Sequence, residues 1–233
     1  MPIGTIATVA RPVHRLIARY VNEPSLGRVH APTGAAPVDA IEHHGPGDAA
    51  LDPQPGDFIL THGAELFSQL IRFGQSLRFR GADRPFTYWN HAALIVSTDG
   101  AIVEALGAGV ERRSIADYGP TQYTVVRIAA SPEDRSEAAA FAEHCVGHPY
   151  GWATIVSIAL SLLTGAKLSF GFNGQLVCSG LVARALERTT TIFEDEPSHI
   201  MPAQLAKLFG VIPPAPETPK GRPAKRASRA QSA

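Results

Sequence analysis

The segment from His91 to Ala105 constrains the fold most: two apolar runs, His91-Ala92-Ala93-Leu94-Ile95-Val96 and Ala101-Ile102-Val103-Glu104-Ala105, flank Ser97-Thr98-Asp99-Gly100. Apolar stretches of this length on either side of a turn signal form a β-hairpin, so the sheet they belong to is antiparallel. The first run is apolar on both faces, and each face therefore needs a covering layer. Two residues break the pattern. His91 stands at the mouth of the first strand, and Glu104 lies inside the second, where a carboxylate is costly to bury without a partner. Any even-length loop places the two on one sheet face. A turn centred on Ser97-Thr98 pairs them directly. A four-residue loop from Ser97 to Gly100 pairs Glu104 with Ala93 and leaves His91 a diagonal neighbour, roughly 7–8 Å away at Cα. An odd loop would separate them onto opposite faces.

Other segments supply the rest of the sheet and its cover. Pro55-Gly56-Asp57 is a turn before the apolar strand Phe58-Ile59-Leu60-Thr61, and Val110 to Ile115 and Tyr123 to Ile128 complete four or five short antiparallel strands. A helix is predicted over Ala64 to Phe73, with Leu66, Phe67, Leu70, Ile71 and Phe73 on its apolar side. Arg78, Arg80 and Arg84 then fall in a loop that ends in aromatics, where they either stay solvated or receive an anionic or planar group. Ser131-Pro132-Glu133-Asp134 starts a helix whose buried stripe is Ala138, Phe141, Ala142, Cys145 and Val146. His144 and His148 are four apart but have no third ligand at a zinc-site spacing, so no metal is expected, and no cofactor motif is present.

With 233 residues, 45% of them hydrophobic, the chain can bury one core. The fold class is α+β, with the sheet packed against helices. The domain is expected to span residues 55–212. Residues 1–54 precede it as an amphipathic helix over 11–22 and an irregular Gly-, Pro- and His-rich linker, and 213–233 follow as a disordered tail. The tail holds five prolines and five basic residues against Glu217 alone, which leaves 16 basic and 20 acidic residues in the body of this neutral chain. Either the basic face of 11–22 or the tail can contact an anionic membrane surface, though docking on its own domain is the commoner role of such a helix and plain solubilisation explains the tail at least as well. No specific nucleic-acid binding is expected, and the oligomeric state is open. Two cysteines make no disulfide framework, and the start of the chain lacks the order of a secretory signal, so a reducing cytoplasm is the default.

The stretch from Gly174 to Leu186 reads as a loop feeding a helix, because Val177, Leu181, Val182, Ala185 and Leu186 recur on one face. Cys178 then stands near the helix N-terminus, where unpaired N–H groups and the dipole favour a thiolate. Two roles are open to it: the small buried core residue that most free cysteines are, or a nucleophile. A nucleophilic cysteine needs an imidazole to take its proton and a third group to fix the imidazole tautomer. Cys178, His91 and Glu104 have those residue types. Neither Ser169 nor Ser179 lies in a Gly-x-Ser-x-Gly elbow, which disfavours a serine hydrolase.

The order of these pieces carries a resemblance. Gly56-Asp57-Phe58-Ile59-Leu60, then Trp89-Asn90-His91-Ala92-Ala93-Leu94-Ile95-Val96, then Val103-Glu104-Ala105, then Val177-Cys178-Ser179-Gly180-Leu181-Val182 resembles the circularly permuted branch of the NlpC/P60 superfamily, the YiiX-like papain-fold amidases. The resemblance implies a circularly permuted papain-like fold with Cys178 as nucleophile, His91 as base and Glu104 as the orienting residue. Tyr150, within His148-Pro149-Tyr150-Gly151-Trp152, falls where such proteins often carry a Pro-Tyr motif. The chain departs from the pattern at Gly151, where an acid is common, and by the apolar insertion over 152–170. The mechanism implied is attack on a carbonyl, with the Cys178 backbone N–H as one oxyanion donor and Gln175 or Tyr150 as the second. The implied substrate is an amide in a small peptide or cell-wall peptide fragment. Lipid acyl hydrolysis or acyl transfer by the same fold is the alternative within the enzyme class, and a non-enzymatic binding module is the alternative outside it.

Overall fold

The computed structural model describes residues 38–63, 66–149, 177–189, 191, 193 and 195–214. The expected helix at 11–22, the apolar run at 152–170, most of the tail at 213–233, Tyr150 and Gln175 lie outside the described residues. The elements in chain order are β1 (Val38–His44), β2 (Phe58–Thr61), α1 (Leu66–Arg78), a 3-10 helix (Gly81–Tyr88), β3 (His91–Ile95), β4 (Ala101–Leu106) and β5 (Gly109–Ser114). A 3-10 turn (Ile115–Tyr118), β6 (Tyr123–Ile128), α2 (Pro132–His144), α3 (Cys178–Leu186), a 3-10 turn (Pro197–His199) and α4 (Pro202–Leu208) follow.

The fold is α+β, built on a six-stranded sheet in the order β1-β6-β2-β3-β4-β5. Every neighbouring pair is antiparallel. Among the described residues there are six strands, not four or five, because the stretch expected as an irregular linker contains β1. A register shift between Val38 and Ala40 breaks the period-2 pattern that would have marked this strand. Its polar residues are also in use: Glu42 pairs with Arg127, His43 Nδ1 meets Thr124 Oγ1 at 2.7 Å, and the His44 ring stacks on Tyr123.

Both faces of the central strands are covered, as their apolar run requires. Phe58, Leu60, Ala92, Leu94, Val103 and Val126 face the helical layer of α2, α3 and α4. Ile59, Ala93, Ile95, Ile102, Tyr123 and Val125 face a thinner layer made by Ala50, Ile115 and Tyr118. The hairpin register is fixed at its turn. Val96 N–H donates to Ala101 O at 2.8 Å, which closes a four-residue loop from Ser97 to Gly100. Gly100 has φ +82°, and a Cβ there would stand 2.8 Å from Ile115 Cγ2, so this position takes glycine alone.

Two expectations about helices need correction. The helix expected over 64–73 ends only at Arg78, and Phe73, placed on its apolar side, is 62% exposed. The buried side continues through Gln75 to Phe79 beyond the helix end. The arginine loop is ordered structure instead: Arg78 ends α1 and pairs with Asp195 at 3.3 Å, Arg80 Nε donates to Leu77 O, and Arg84 lies within the 3-10 helix. The helix start at Ser131 forms as expected, its hydroxyl accepting from Asp134 N–H at 3.1 Å. Among the described residues no helix is long and apolar enough to cross a membrane.

Asp57 ties the sheet to α2. Fully buried at the start of β2, its Oδ1 accepts from Ile128 N–H at 3.1 Å and Arg135 Nη1 at 2.6 Å, and its Oδ2 from Arg127 Nη1 at 3.3 Å. Removing one member of a buried ion network leaves the others uncompensated. Asp57→Ala is expected to lower stability by about 3–5 kcal/mol. The measurement is a fall in the urea midpoint at unchanged slope.

Candidate active site

The strand that carries His91 is pinned before it begins. Trp89 is fully buried and donates its indole N–H to Val211 O at 3.0 Å. Gln75, also fully buried, donates to Trp89 O and accepts from Ala203 N–H, both at 2.8 Å, and so joins α1, the start of β3 and α4. Asn90 Oδ1 accepts from Gly63 N–H and its Nδ2 donates to Gly63 O, each at 2.8 Å. A buried amide satisfied at both ends holds its backbone in one position. His91 therefore starts β3 opposite Thr61 with little freedom.

The four-residue loop sets the register of β4 against β3, with Leu94 opposite Val103 and Ile95 opposite Ile102. Glu104 continues that register opposite Ala93, with His91 its diagonal neighbour on the same face. His91 Nε2–H donates to Glu104 Oε2 at 2.5 Å. The ring nitrogen left for another partner is Nδ1. Glu104 is fully buried and His91 is 14% exposed, so the pair sits in a low-dielectric setting that strengthens the attraction.

Helix α3 packs on β3 and β4 and brings Cys178 to the same place. Its cap residue, Val177, offers no side-chain acceptor, so the first N–H groups of the helix are free of a competing cap. Ser179 is spent on structure: its hydroxyl donates to Ile200 O at 2.6 Å and anchors the helix start. The Cys178 sulfur, 3% exposed as a residue, lies close enough to His91 and to the backbone N–H groups of Ala92 and Ser179 for each to act on its charge. Burial opposes a charge on this sulfur, but the His91 cation and those donors outweigh it and hold the thiol below its usual range. Burial likewise opposes charge on the His91 ring, and Cys178 and Glu104 overcome it, so the imidazole is held well above its ordinary range. The two directions agree. The favoured state is a thiolate beside an imidazolium.

Two further side chains complete the site. Tyr118 O–H donates to Glu104 Oε2 at 2.5 Å, and its ring lies nearly parallel to that of His91 with centroids 6.3 Å apart. Arg113, diagonal to Glu104 on β5, places Nη1 3.5 Å from Oε1. Burial works against ionised Glu104, yet His91, Tyr118 and Arg113 together hold its carboxyl below the usual range. The reading from sequence had neither residue. Arg113 falls in the strand predicted over Val110 to Ile115, where nothing local marks it as a partner of Glu104, and Tyr118 lies in a 3-10 turn with no periodicity to flag it.

Of the residues singled out from sequence, Cys178, His91 and Glu104 come together, while Tyr150 and Gln175 lie outside the described residues. Cys145 stands apart at the end of α2, where burial pushes its thiol up to about 11 against the weaker pull of Arg188 and Arg184. The His144 and His148 rings lie 6.2 Å apart, and no group of three or more metal-ligating side chains occurs among the described residues.

No family model matches the chain, and no curated protein matches it. Among solved structures the chain is similar to the crystal structure of the metalloprotein yiiX from Escherichia coli O157:H7 (DUF1105). The identity is 15% and the TM-score 0.45, over 69% of this chain and 84% of that one. A likeness this distant says nothing about chemistry.

Proposed function

We propose that the protein is a cysteine hydrolase that cleaves an amide bond in a small peptide or cell-wall peptide fragment, on a circularly permuted papain-like scaffold of the NlpC/P60 type. The observation that carries this reading is the contact chain from the Cys178 sulfur through His91 to Glu104, assembled from α3, β3 and β4. A thiolate held beside an imidazolium is poised for attack on a carbonyl carbon.

The reaction proceeds in two halves. The Cys178 thiolate bonds to the carbonyl carbon, and the negative charge that develops on the oxygen is met by the Cys178 backbone N–H at the head of α3. As the carbon–nitrogen bond breaks, His91 Nδ1 gives its proton to the departing amine, leaving a thioester on Cys178. A water molecule then gives a proton to the neutral imidazole and its oxygen to the acyl carbon. The carbon–sulfur bond breaks, the acid product leaves, and the thiolate and imidazolium are restored. Glu104 stays ionised throughout. Its hydrogen bond from Nε2–H keeps Nδ1 facing the sulfur in both halves.

The direct test is capture of the acyl-enzyme. Rapid acid quenching during turnover of small peptide amides, peptide fragments of the cell wall and activated esters is expected to leave an acyl group on Cys178, located by mass spectrometry of the digested protein. Adducts with acyl lipids alone would move the substrate class to lipid acyl chemistry. If no member of the panel acylates Cys178 or is hydrolysed, the chain is a binding module and the enzyme reading is wrong.

A further inference from the structure

Glu104 is held by more groups than a cysteine–histidine–acid triad requires. Its Oε2 accepts from both His91 Nε2–H and Tyr118 O–H, and Arg113 stands beside Oε1. Arg113 is itself steadied by Asp117, whose Oδ2 lies 3.2 Å from Nε. Across β5, Glu111 pairs directly with Glu104 and puts a second carboxylate on the same face. Like charges directly opposite destabilise a strand pair, so Glu104 depends on the partners on its other sides. Burial raises the affinity of Glu104 for positive charge, whereas Tyr118 and Arg113 reduce it.

The balance bears on catalysis because a fully basic carboxylate against Nε2 would hold the imidazolium too firmly. An acid catalyst works best when its proton affinity lies near that of the medium, and a proton locked on His91 cannot reach a leaving amine. Resting on the cysteine hydrolase reading, we infer that Tyr118 is a positioning residue which, together with Arg113, restrains the basicity of Glu104 and keeps the His91 proton transferable. The hydroxyl suits this task. Burial and the adjacent Glu104 charge raise its pKa, so it remains a donor over the whole working range. The ring packs against the layer that includes Ile59, Ile95 and Ile115, and the turn that carries it is locked by Ile115 N–H on Gly100 O at 2.8 Å. Tyr118 is thereby tied to the hairpin loop that sets the register of Glu104.

The test needs no substrate. Iodoacetate alkylates a thiolate, and its own carboxylate is drawn by a neighbouring imidazolium, so its rate at Cys178 rises as the thiol ionises and falls as His91 loses its proton. Full-length protein is compared with Tyr118→Phe, which keeps the ring and removes only the donor, and with half-exposed Arg113→Gln and Arg113→Lys. With a donor or a cation removed, Glu104 becomes more basic and the falling limb moves to higher pH, by about one unit for Tyr118→Phe. Arg113→Gln moves it in the same direction and Arg113→Lys restores it. A purely structural role for Tyr118 would lower the melting temperature without moving the limb, and a limb that stays or moves downward overturns the inference. Should Tyr118→Phe fail to fold, the two arginine variants decide. A wild-type profile with no peak, and a Cys178 rate like that of Cys145, would instead sink the hydrolase reading and this inference with it. A clear wild-type peak unmoved by the substitutions sinks the inference alone.

Discussion

Cys178→Ala is expected to abolish hydrolysis, with a loss of at least about 10⁴-fold in kcat, because removing a covalent nucleophile leaves only the modest acceleration that binding and oxyanion donors provide. The protein carries its own control. Cys145 and Cys178 are both buried, so burial by itself predicts that both resist alkylation. They differ in what surrounds the sulfur. Cys178 has an imidazolium and two backbone N–H groups, whereas at Cys145 the Arg188 and Arg184 charges do not offset its desolvation. The Cys178 thiol is held below the ordinary thiol range, whereas the Cys145 thiol is pushed up to about 11. Iodoacetamide at pH 7 is therefore expected to modify Cys178 at least about 100-fold faster than Cys145, since a thiolate fraction falls tenfold for each unit of pKa above the pH. Peptide mapping after partial modification measures the ratio. Equal rates would return Cys178 to the ordinary role of a small core residue. His91→Ala supplies the complementary result: without the cation, desolvation prevails, the thiol pKa rises, and the selectivity collapses.

What could be read from the chain beforehand follows from which forces are local. The relation of His91 to Glu104 was legible because strand parity is arithmetic: a four-residue loop at Ser97–Gly100 fixes Ala93 as the partner of Glu104, and the side chains follow. The placement of Cys178 at a helix start was legible from helical spacing. That α3 packs on β3 and β4 with its N-terminus against His91 was not, because packing of distant segments leaves no periodic trace. β1 was missed because its register shift and its polar side chains hide its alternation, although Glu42, His43 and His44 each have a cross-strand use. Tyr118 and Arg113 were missed for a related reason. Each acts on a residue that neighbours it across the sheet or the turn, and only the assembled sheet reveals the contact. Phe73 shows the opposite failure: a helix pattern extended one apolar residue too far onto an exposed face.

Glu104→Gln separates the charge of the third residue from its shape. The glutamine side chain matches the carboxylate in size, and its oxygen can still accept from Tyr118, so the fold around it is expected to survive. Two things change at His91. The amide carries no charge, so the buried imidazolium loses the partner that offset its desolvation. If the amide instead turns its NH₂ toward Nε2, the Tyr118 hydroxyl faces the same NH₂ and must accept from it, and Nε2 must become an acceptor as well. The proton of the neutral ring then sits on Nδ1, where it cannot receive one from the thiol. Both effects disfavour the thiolate–imidazolium state, and their signs are opposite at the two ends of the pH profile. The thiol ionises at higher pH because its cation is weaker, and His91 gives up its proton at lower pH because its anion is gone. The active window therefore narrows from both sides, whereas Tyr118→Phe extends it on the alkaline side. The expected loss in kcat/KM at the optimum is about 10³-fold, less than the roughly 10⁴-fold of a serine triad deprived of its acid because a cysteine ionises more readily by itself. Measuring kcat/KM from about pH 5 to 10 checks the width as well as the height of the profile. A lower but equally wide profile would mean that Glu104 acts through packing alone, and that the charge buried behind His91 has no part in setting its proton affinity.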